Sequence, residues 1–494
     1  MQRVSGLDEF FMCLDTDKTT GHIAGIGIFT EKKKFDHTEF IRERILDRLP
    51  VLPLLKWKLE ATPLALDSRH WVTMDHLDLD RHVHTVTLPK PGTEAQFLAK
   101  MDELMEINLE RDIPMWQMYV VEGLQGGKFA YVFKVSHGLA DGSALWTILD
   151  HLSDDPLLPM HEMLGAPNEG QPLPKRVGRG VQGALKKPAR TARLGKELGE
   201  WFVDVAKKEK LAAVPATIAR VLPGAMSKPF ATVANRLGTA EGTVASLYPK
   251  VTAPNSPFNG NSSGKTHIVY EKVTVADLRT AGKVVGGTIN DAVLAIMAGM
   301  LRDYMSTHGG VSDEPIIAAV PISWRSPYEV EGKWANQVWM LFIRIPVHLA
   351  DPKERLIYCH DEMVVAKANW DKMPSHLMRE ATSLMPLDLV LSPGVNAMLK
   401  IPNKFVPKQF NISVSNVKGP TTKPVYNGSE MTDYLVYGFL SPGAGLLLGG
   451  MSYGDILNLT TTGDPGIVAD IDSFPALQRK ALDELLALAA AKTA

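Results

Sequence analysis

The sequence predicts an α/β protein of two lobes joined by a basic, partly helical connector. Three observations carry that expectation. At 494 residues the chain exceeds what one ordinary hydrophobic core serves, so two domains are expected. Strand-like and helix-like patterns alternate in two long stretches, residues 1–153 and 261–494. Between them, residues 154–260 break the pattern with prolines and glycines and then turn basic.

In the first stretch, "HIAGIGIF" (22–29) reads as a strand. "HTEFIRERILDRL" (37–49) reads as a helix with Phe40, Ile41, Ile45 and Leu49 on one face. In "KFAYVFKV" (128–135), Phe129, Tyr131, Phe133 and Val135 alternate with Ala130, Val132 and Lys134, which predicts a strand. "SALWTILDHL" (143–152) groups Ala144, Leu145, Ile148, Leu149 and Leu152 on one helical face, with Asp141 or Ser143 placed to cap it. "PLLPMHEMLGAPNEGQPLPK" (156–175) is the expected linker. Residues 175–210 follow with eleven Lys/Arg against four Asp/Glu, and "APNSPFNGNSSGK" (253–265) is a second loop. Beyond it, "PIIAAVPI", "QVWMLFIRIPV", "FNISVSNV" and "LLLGGMSY" read as strands.

Composition narrows the function class. A chain 45% hydrophobic and 22% charged is globular and not disordered, and a net charge of -2 gives no global attraction for nucleic acid. Cys13 and Cys359 are far apart and lack C-x-x-C spacing, which fits a reducing compartment and excludes a cysteine-based metal cluster; no metal is expected. The opening "MQRVSGLDEFFMCLD" carries acids where a signal peptide needs a cation and an apolar run. No apolar stretch reaches the roughly 18 residues of a membrane span, so a cytoplasmic location is expected.

The chemistry centres on "SHGLADGS" (136–143). His137 ends a strand and opens the turn into a helix, where rigid elements hold polar groups at the rim of a cleft. Imidazole is largely neutral at pH 7 and can take a proton from a hydroxyl. The competing reading is an ordinary turn histidine. Two other motifs fail on context. "GMSYG" (450–454) fits the G-x-S-x-G elbow of esterases with Ser452 as nucleophile, but "DILNLTTTG" follows instead of a helix. "GAGLLLG" (443–449) misses the dinucleotide fingerprint by one residue and also lacks the helix.

These residues, taken with others in order, resemble the bacterial wax ester synthase/acyl-CoA:diacylglycerol acyltransferase family, related to chloramphenicol acetyltransferase and to peptide-synthetase condensation domains. The family's H-H-x-x-x-D-G maps to Ser136, His137, Asp141 and Gly142. "VSGLDEFFMCLDT" resembles its opening and "DLDRHVHTVTLPKPG" its first-domain landmark. "DIPMWQMYVVEGL" carries Pro114 and Trp116 of P-L-W, "GGTINDAVLA" the N-D pair Asn290 and Asp291, "AAVPISWR" the P-x-S-x-R segment and "SVSNVKGP" the S-N-x-x-G-P segment.

The resemblance implies two chloramphenicol-acetyltransferase-like lobes with mixed sheets and an active-site tunnel between them. It implies His137 as general base on an acceptor hydroxyl that attacks the thioester of acyl-CoA, with no covalent acyl-enzyme and no cofactor beyond acyl-CoA as co-substrate. Ser413, Ser415 and Asn416 are the candidate oxyanion donors. Asp141 is expected to pair with Arg325 and hold the turn, and Gly142 to supply a backbone conformation other residues avoid. Pro114, Trp116, Asn290 and Asp291 carry over as residues that shape the site. Ser136 departs from the family's first histidine. Strand alternation turns it away from the face of residues 135 and 137, so a supporting role is expected.

The expected product is triacylglycerol from diacylglycerol, wax ester from a fatty alcohol, or both. The connector, net +7 over 36 residues with Leu185, Leu194, Leu198, Trp201, Phe202 and Val205 among its cations, suggests peripheral contact with an inner membrane or lipid body. The alternatives are a same-fold acyltransferase with a polyketide or peptide acceptor, a lipid esterase using Ser452, and a non-catalytic lipid-binding homologue.

Overall fold

The computed structural model describes residues 2–16, 18–61, 69–158, 173–208, 253–323, 336, 338–370, 408–417, 419–420 and 422–493. The chain begins with β1 (Gln2–Arg3), α1 (Gly6–Cys13), β2 (His22–Thr30), α2 (His37–Arg48), β3 (Trp57–Glu60) and β4 (His70–Thr73). It continues through β5 (Val83–Thr87), α3 (Glu94–Glu106), β6 (Trp116–Leu124), β7 (Lys128–Ser136) and α4 (Gly142–His151). A long helix, α5 (Leu173–Lys208), lies in the connector. Then come β8 (His267–Thr274), α6 (Val275–Lys283), α7 (Ile289–Thr307), β9 (Ile316–Ser323), β10 (Val338–Ile345) and α8 (Pro352–Trp370). The chain closes with β11 (Ile412–Val417), β12 (Val425–Tyr426), β13 (Ser429–Tyr437), β14 (Leu446–Tyr453), β15 (Ile456–Gly463) and α9 (Phe474–Thr493).

Two six-stranded mixed sheets organise these elements, as the two-lobe expectation requires. The first has the order β12-β13-β2-β7-β6-β5, in which only β5 and β6 run parallel. The second has the order β10-β9-β11-β14-β15-β8, with β11 parallel to both neighbours. A small antiparallel sheet, β1-β4-β3, flanks the first lobe.

The second half of the chain does not stay in its own sheet. β13 leaves it and pairs antiparallel with β2, Tyr437 opposite Ala24, so the first sheet is completed from the far end of the sequence.

Alternation in β7 sorts residues between two cores. Phe129, Tyr131, Phe133 and Val135 pack with Leu145 and Leu149 of α4, whereas Ala130 and Val132 pack with Met101 and Leu104 of α3. Both faces are covered, which is why the apolar run is nearly continuous. Lys134 falls on the α3 side and is fully buried. Its ammonium donates to the carbonyls of Leu104 (2.7 Å) and Ile107 at the end of α3, where a helix presents unpaired carbonyls and negative partial charge. In the second lobe, α7 is capped by a Thr288–Asp291 box and is buried nearly all round by α6, α8 and α9.

Candidate active site

β7 delivers His137, and the turn that follows is tied down on every side. Ser136 N–H donates to Met115 O at 3.0 Å, and His137 N–H donates to Gly21 O at 2.9 Å. Leu139 and Ala140 N–H both donate back to Ser136 O, closing the turn. The Ser136 hydroxyl accepts from Gly138 N–H at 3.3 Å, so this side chain contacts the turn's own backbone. Asp141 is buried and caps α4, its carboxylate accepting from Ala144 N–H at 2.9 Å. The expected partner, Arg325, lies outside the described residues.

Gly142 corrects an expectation. It opens α4 without a left-handed φ, and a Cβ there would meet nothing within 4 Å. The constrained glycine is Gly138, where a Cβ would lie 2.6 Å from Met12 Cγ and 2.9 Å from Asp8 O. The first glycine of the turn lets α1 approach; the second has only to begin a helix.

α1 forms one wall. Phe11 stacks on the imidazole with ring centroids 4.0 Å apart, and Phe439, just beyond the crossing strand β13, meets it edge-on at 5.3 Å. His137 is half-buried overall, yet its Nδ1 is fully covered and has no hydrogen-bond partner among the described residues. Burial lowers the imidazole pKa below its usual value, while the Asp141 charge, the residue's own carbonyl and the Asn336 side chain oppose that shift. Burial thus favours the neutral form of the ring, the form able to accept a proton.

Asn336 was not legible as a site residue. It stands just before β10 in the second lobe, and its side-chain Nδ2 reaches His137 O at 2.5 Å and Asp8 Oδ1 at 2.7 Å. Its backbone N–H also donates to Asp8 Oδ1 at 2.9 Å. Asp8 is buried, which raises its carboxyl pKa to about 6 against the pull of bonds from Asn336 and Ser5. Nothing in the local sequence pairs residue 8 with residue 336; only the meeting of the lobes does.

The other motif residues divide. Trp116 is fully buried, stacks on His82 at 4.2 Å and on Phe133 at 5.5 Å, and donates its indole N–H to Leu55 O at 2.9 Å. It is a core residue beneath the strand that carries His137. Pro114 is also buried, its carbonyl accepting from Trp116 N–H at 2.8 Å. In the second lobe, Asn416 Nδ2 donates to Asn290 Oδ1 at 3.3 Å, joining the S-N and N-D segments. Asp291 caps α7 and pairs with His360 Nδ1 at 3.0 Å. Ser413 is buried near the start of β11, and Ser415 and Asn416 lie toward its far end. Ser452 sits in β14 with its hydroxyl accepting from Gly419 N–H at 3.0 Å, and a hairpin to β15 follows, so the esterase elbow is absent.

Among the described residues, no group of three or more His, Cys, Asp or Glu could hold a metal ion, and no helix is long and apolar enough to cross a membrane. Both cysteines are buried and unbridged.

Comparison with known proteins supplies the family. Residues 4–293 match the model of the wax ester synthase/diacylglycerol acyltransferase catalytic domain, and residues 334–486 match the C-terminal domain of the same family. A Mycobacterium tuberculosis protein described as a "Putative diacyglycerol O-acyltransferase" is 28% identical over 480 residues, 95% of this chain and 92% of that protein. In fold, the chain is similar to the wax ester synthase/diacylglycerol acyltransferase of Marinobacter aquaeolei VT8, with a TM-score of 0.66 and 21% identity over 99% of this chain and 100% of that one. It also resembles the condensation domain of the monacolin K polyketide synthase MokA, with a TM-score of 0.58 and 12% identity over 99% and 97% of the two chains. The two-lobed fold is thus the one shared with chloramphenicol acetyltransferase, and the chain belongs to the wax ester synthase/diacylglycerol acyltransferase family and is an acyltransferase of that type.

Proposed function

We propose that this enzyme transfers the acyl group of a long-chain acyl-CoA to the hydroxyl of diacylglycerol or a fatty alcohol, with His137 as the general base. The observation that carries this reading is an aromatic-flanked imidazole at the end of β7, held by backbone bonds in a turn where two lobes meet. Nε2 takes the proton as the hydroxyl oxygen attacks the thioester carbonyl. The tetrahedral intermediate then expels the coenzyme A thiolate, which takes up a proton. The acceptor is itself the nucleophile, so positioning and one base supply much of the acceleration. Ser413, Ser415 and Asn416 remain the candidates for stabilising the oxyanion, Asn416 being held by Asn290.

The same reading includes peripheral contact with a lipid surface. On α5, Leu173, Val177, Val181 and Leu185 recur every four residues and are exposed, Leu185 by 74%, beside Lys175, Arg176 and Lys186. Arg176 anchors the start of the helix to Ala61 O at 2.5 Å.

The test is release of free thiol from palmitoyl-CoA with diacylglycerol or hexadecanol, using wild type and His137→Ala and separating the lipid products. Acceptor-dependent release that vanishes in the variant is expected. Equal turnover by the variant would place the base elsewhere, and palmitoyl-CoA binding without release would favour a polyketide or peptide acceptor or a non-catalytic role. For the surface contact, Leu185→Asp is expected to reduce co-sedimentation with anionic phosphatidylserine vesicles, and unchanged sedimentation would remove α5 from the account.

A further inference from the structure

Helix α1 has an acid at each end, and both acids lead to the backbone of His137. Asp8 lies in its first turn, and Asp15 stands just past its C-cap, Leu14. Asp15 Oδ1 accepts from Gly21 N–H at 3.0 Å, and Gly21 O accepts from His137 N–H at 2.9 Å. The approach is close enough to require glycine, because a Cβ on residue 21 would lie 2.7 Å from Asp15 Cβ. Asp15 Oδ2 accepts from the Arg111 guanidinium at 3.0 Å, a charge-assisted bond that orients the carboxylate. At the opposite end, Asp8 Oδ1 accepts from Asn336 N–H at 2.9 Å and from Asn336 Nδ2 at 2.7 Å. The same Nδ2 donates to His137 O at 2.5 Å. An amide nitrogen carries two hydrogens, one for each of these acceptors.

We propose that Asp8 and Asp15 are positioning residues for His137: through Asn336 and Gly21 they hold its carbonyl and its N–H, while Phe11 between them stacks on its ring. The N–H belongs to the peptide unit before the histidine and the carbonyl to the unit after it. Fixing both units fixes the direction in which the Cα–Cβ bond leaves the chain, and so where the imidazole stands. A catalytic group must be held within about 0.5 Å of its productive position. Both arms end on one short helix, so a shift of α1 moves the backbone and the ring of the base together. This inference rests on the assignment of His137 as base and names the groups that aim it.

The experiment compares kcat, KM for palmitoyl-CoA and the thermal midpoint. The proteins are wild type, His137→Ala, Asp15→Ala, Asp15→Asn, Asp8→Ala and Asp8→Asn. Each alanine removes the acceptor of one arm. Its kcat should fall about tenfold to a hundredfold, as expected for a misplaced catalytic group, with KM within about twofold. Asp15→Asn keeps an oxygen for Gly21 N–H and gives up the ion pair with Arg111. Its thermal midpoint should fall with that of Asp15→Ala while its kcat stays well above that variant's. Asp8→Asn likewise keeps an oxygen for Asn336 and gives up the bond from Ser5 N–H, with the same split expected.

Wild-type kcat in either alanine variant while His137→Ala is inactive would overturn this inference alone. So would a kcat that follows the thermal midpoint through all four aspartate variants, which is what merely structural acids give. Full activity in His137→Ala would overturn it together with the base assignment. If the alanine variants do not fold, Asp15→Glu takes their place under the same outcomes. It keeps a carboxylate for Arg111 but sets it a methylene out of line with Gly21, so its kcat should fall while its thermal midpoint holds.

Discussion

Two junctions between the lobes each turn on a histidine, and the two rings are driven in opposite directions. At the first, His137 lies between Phe11 and Phe439 and is contacted from the second lobe by a neutral amide; burial dominates and lowers its pKa. At the second, His267 at the start of β8 sets Nδ1 2.6 Å from Asp102 of α3 and Nε2 3.0 Å from Asp472. Asp102 also accepts from Ile268 N–H at 3.0 Å and from the Tyr437 hydroxyl at 2.8 Å. The hydrogen bond to Asp102 leads in raising the His267 pKa to about 9. One ring is biased toward its neutral form, and the other, biased toward its charged form, joins the two lobes. Burying a ring among aromatics favours the neutral form, whereas flanking it with carboxylates favours the cation.

The largest effect should come from the first junction. His137→Ala is expected to lower kcat by 10²- to 10⁴-fold, the usual worth of a positioned base, with little change in thermal midpoint; a smaller loss would mean the two histidines differ less in role than in charge. Because the pKa of His137 is lowered, its base form persists into mild acid. The acid limb of kcat in wild type is therefore expected below pH 6.5, and a limb above that value would contradict the dry environment.

Next in size is Gly138→Ala, whose Cβ would press on Met12 and Asp8 O. Overpacking of this kind costs about 1–3 kcal/mol, and kcat should fall with it because α1 must shift from the imidazole. Gly142→Ala, four residues on in open space, should be close to neutral in a denaturant titration, and equal costs at the two sites would discredit the packing of α1 on the turn.

The second junction predicts a pH effect on stability. The folded pKa of His267 is raised above the unfolded value of about 6.5, so its contribution is complete below that pH and is lost as pH rises through about 9. Buried Lys134 slopes the other way, because burial brings its pKa down to about 7 and folding becomes easier as the lysine loses its proton. The measurement is therefore the difference in thermal midpoint between wild type and His267→Gln, which should shrink from pH 6 to pH 10. A difference independent of pH would mean that His267 is not charged in the folded protein. The smallest expected effect is that of Ser452→Ala, which should leave thiol release and sensitivity to serine-directed phosphonates as in wild type, since its hydroxyl serves Gly419 in a strand.

Much of this was legible in order along the chain. β2, β7, β9, β10, β11 and β14, together with α2 and α4, fall where periodicity put them, and Asp141 caps α4 as its position before the helix suggested. These features depend on neighbours a few residues apart, and local sequence records such neighbours directly. The turn glycine was misjudged for a related reason. Gly142 stands out in the motif, but the need for a missing Cβ arises at Gly138 from Met12 and Asp8, far away in sequence.

What the sequence alone determined, then, was the succession of elements, the turn that presents His137, and a family membership carried by motifs in order. Tertiary structure decided which distant groups surround that histidine. The crossing of β13 into the first sheet brings Phe439 to its ring, and docking of the lobes brings Asn336 to its carbonyl and to Asp8. Hydrophobic periodicity reports only whether a residue faces a core. It does not say which other segment lies across that core, because burial is non-directional and many partners would satisfy it equally. The hydrogen bonds of Asn336 are directional, and they become possible only after the lobes have met.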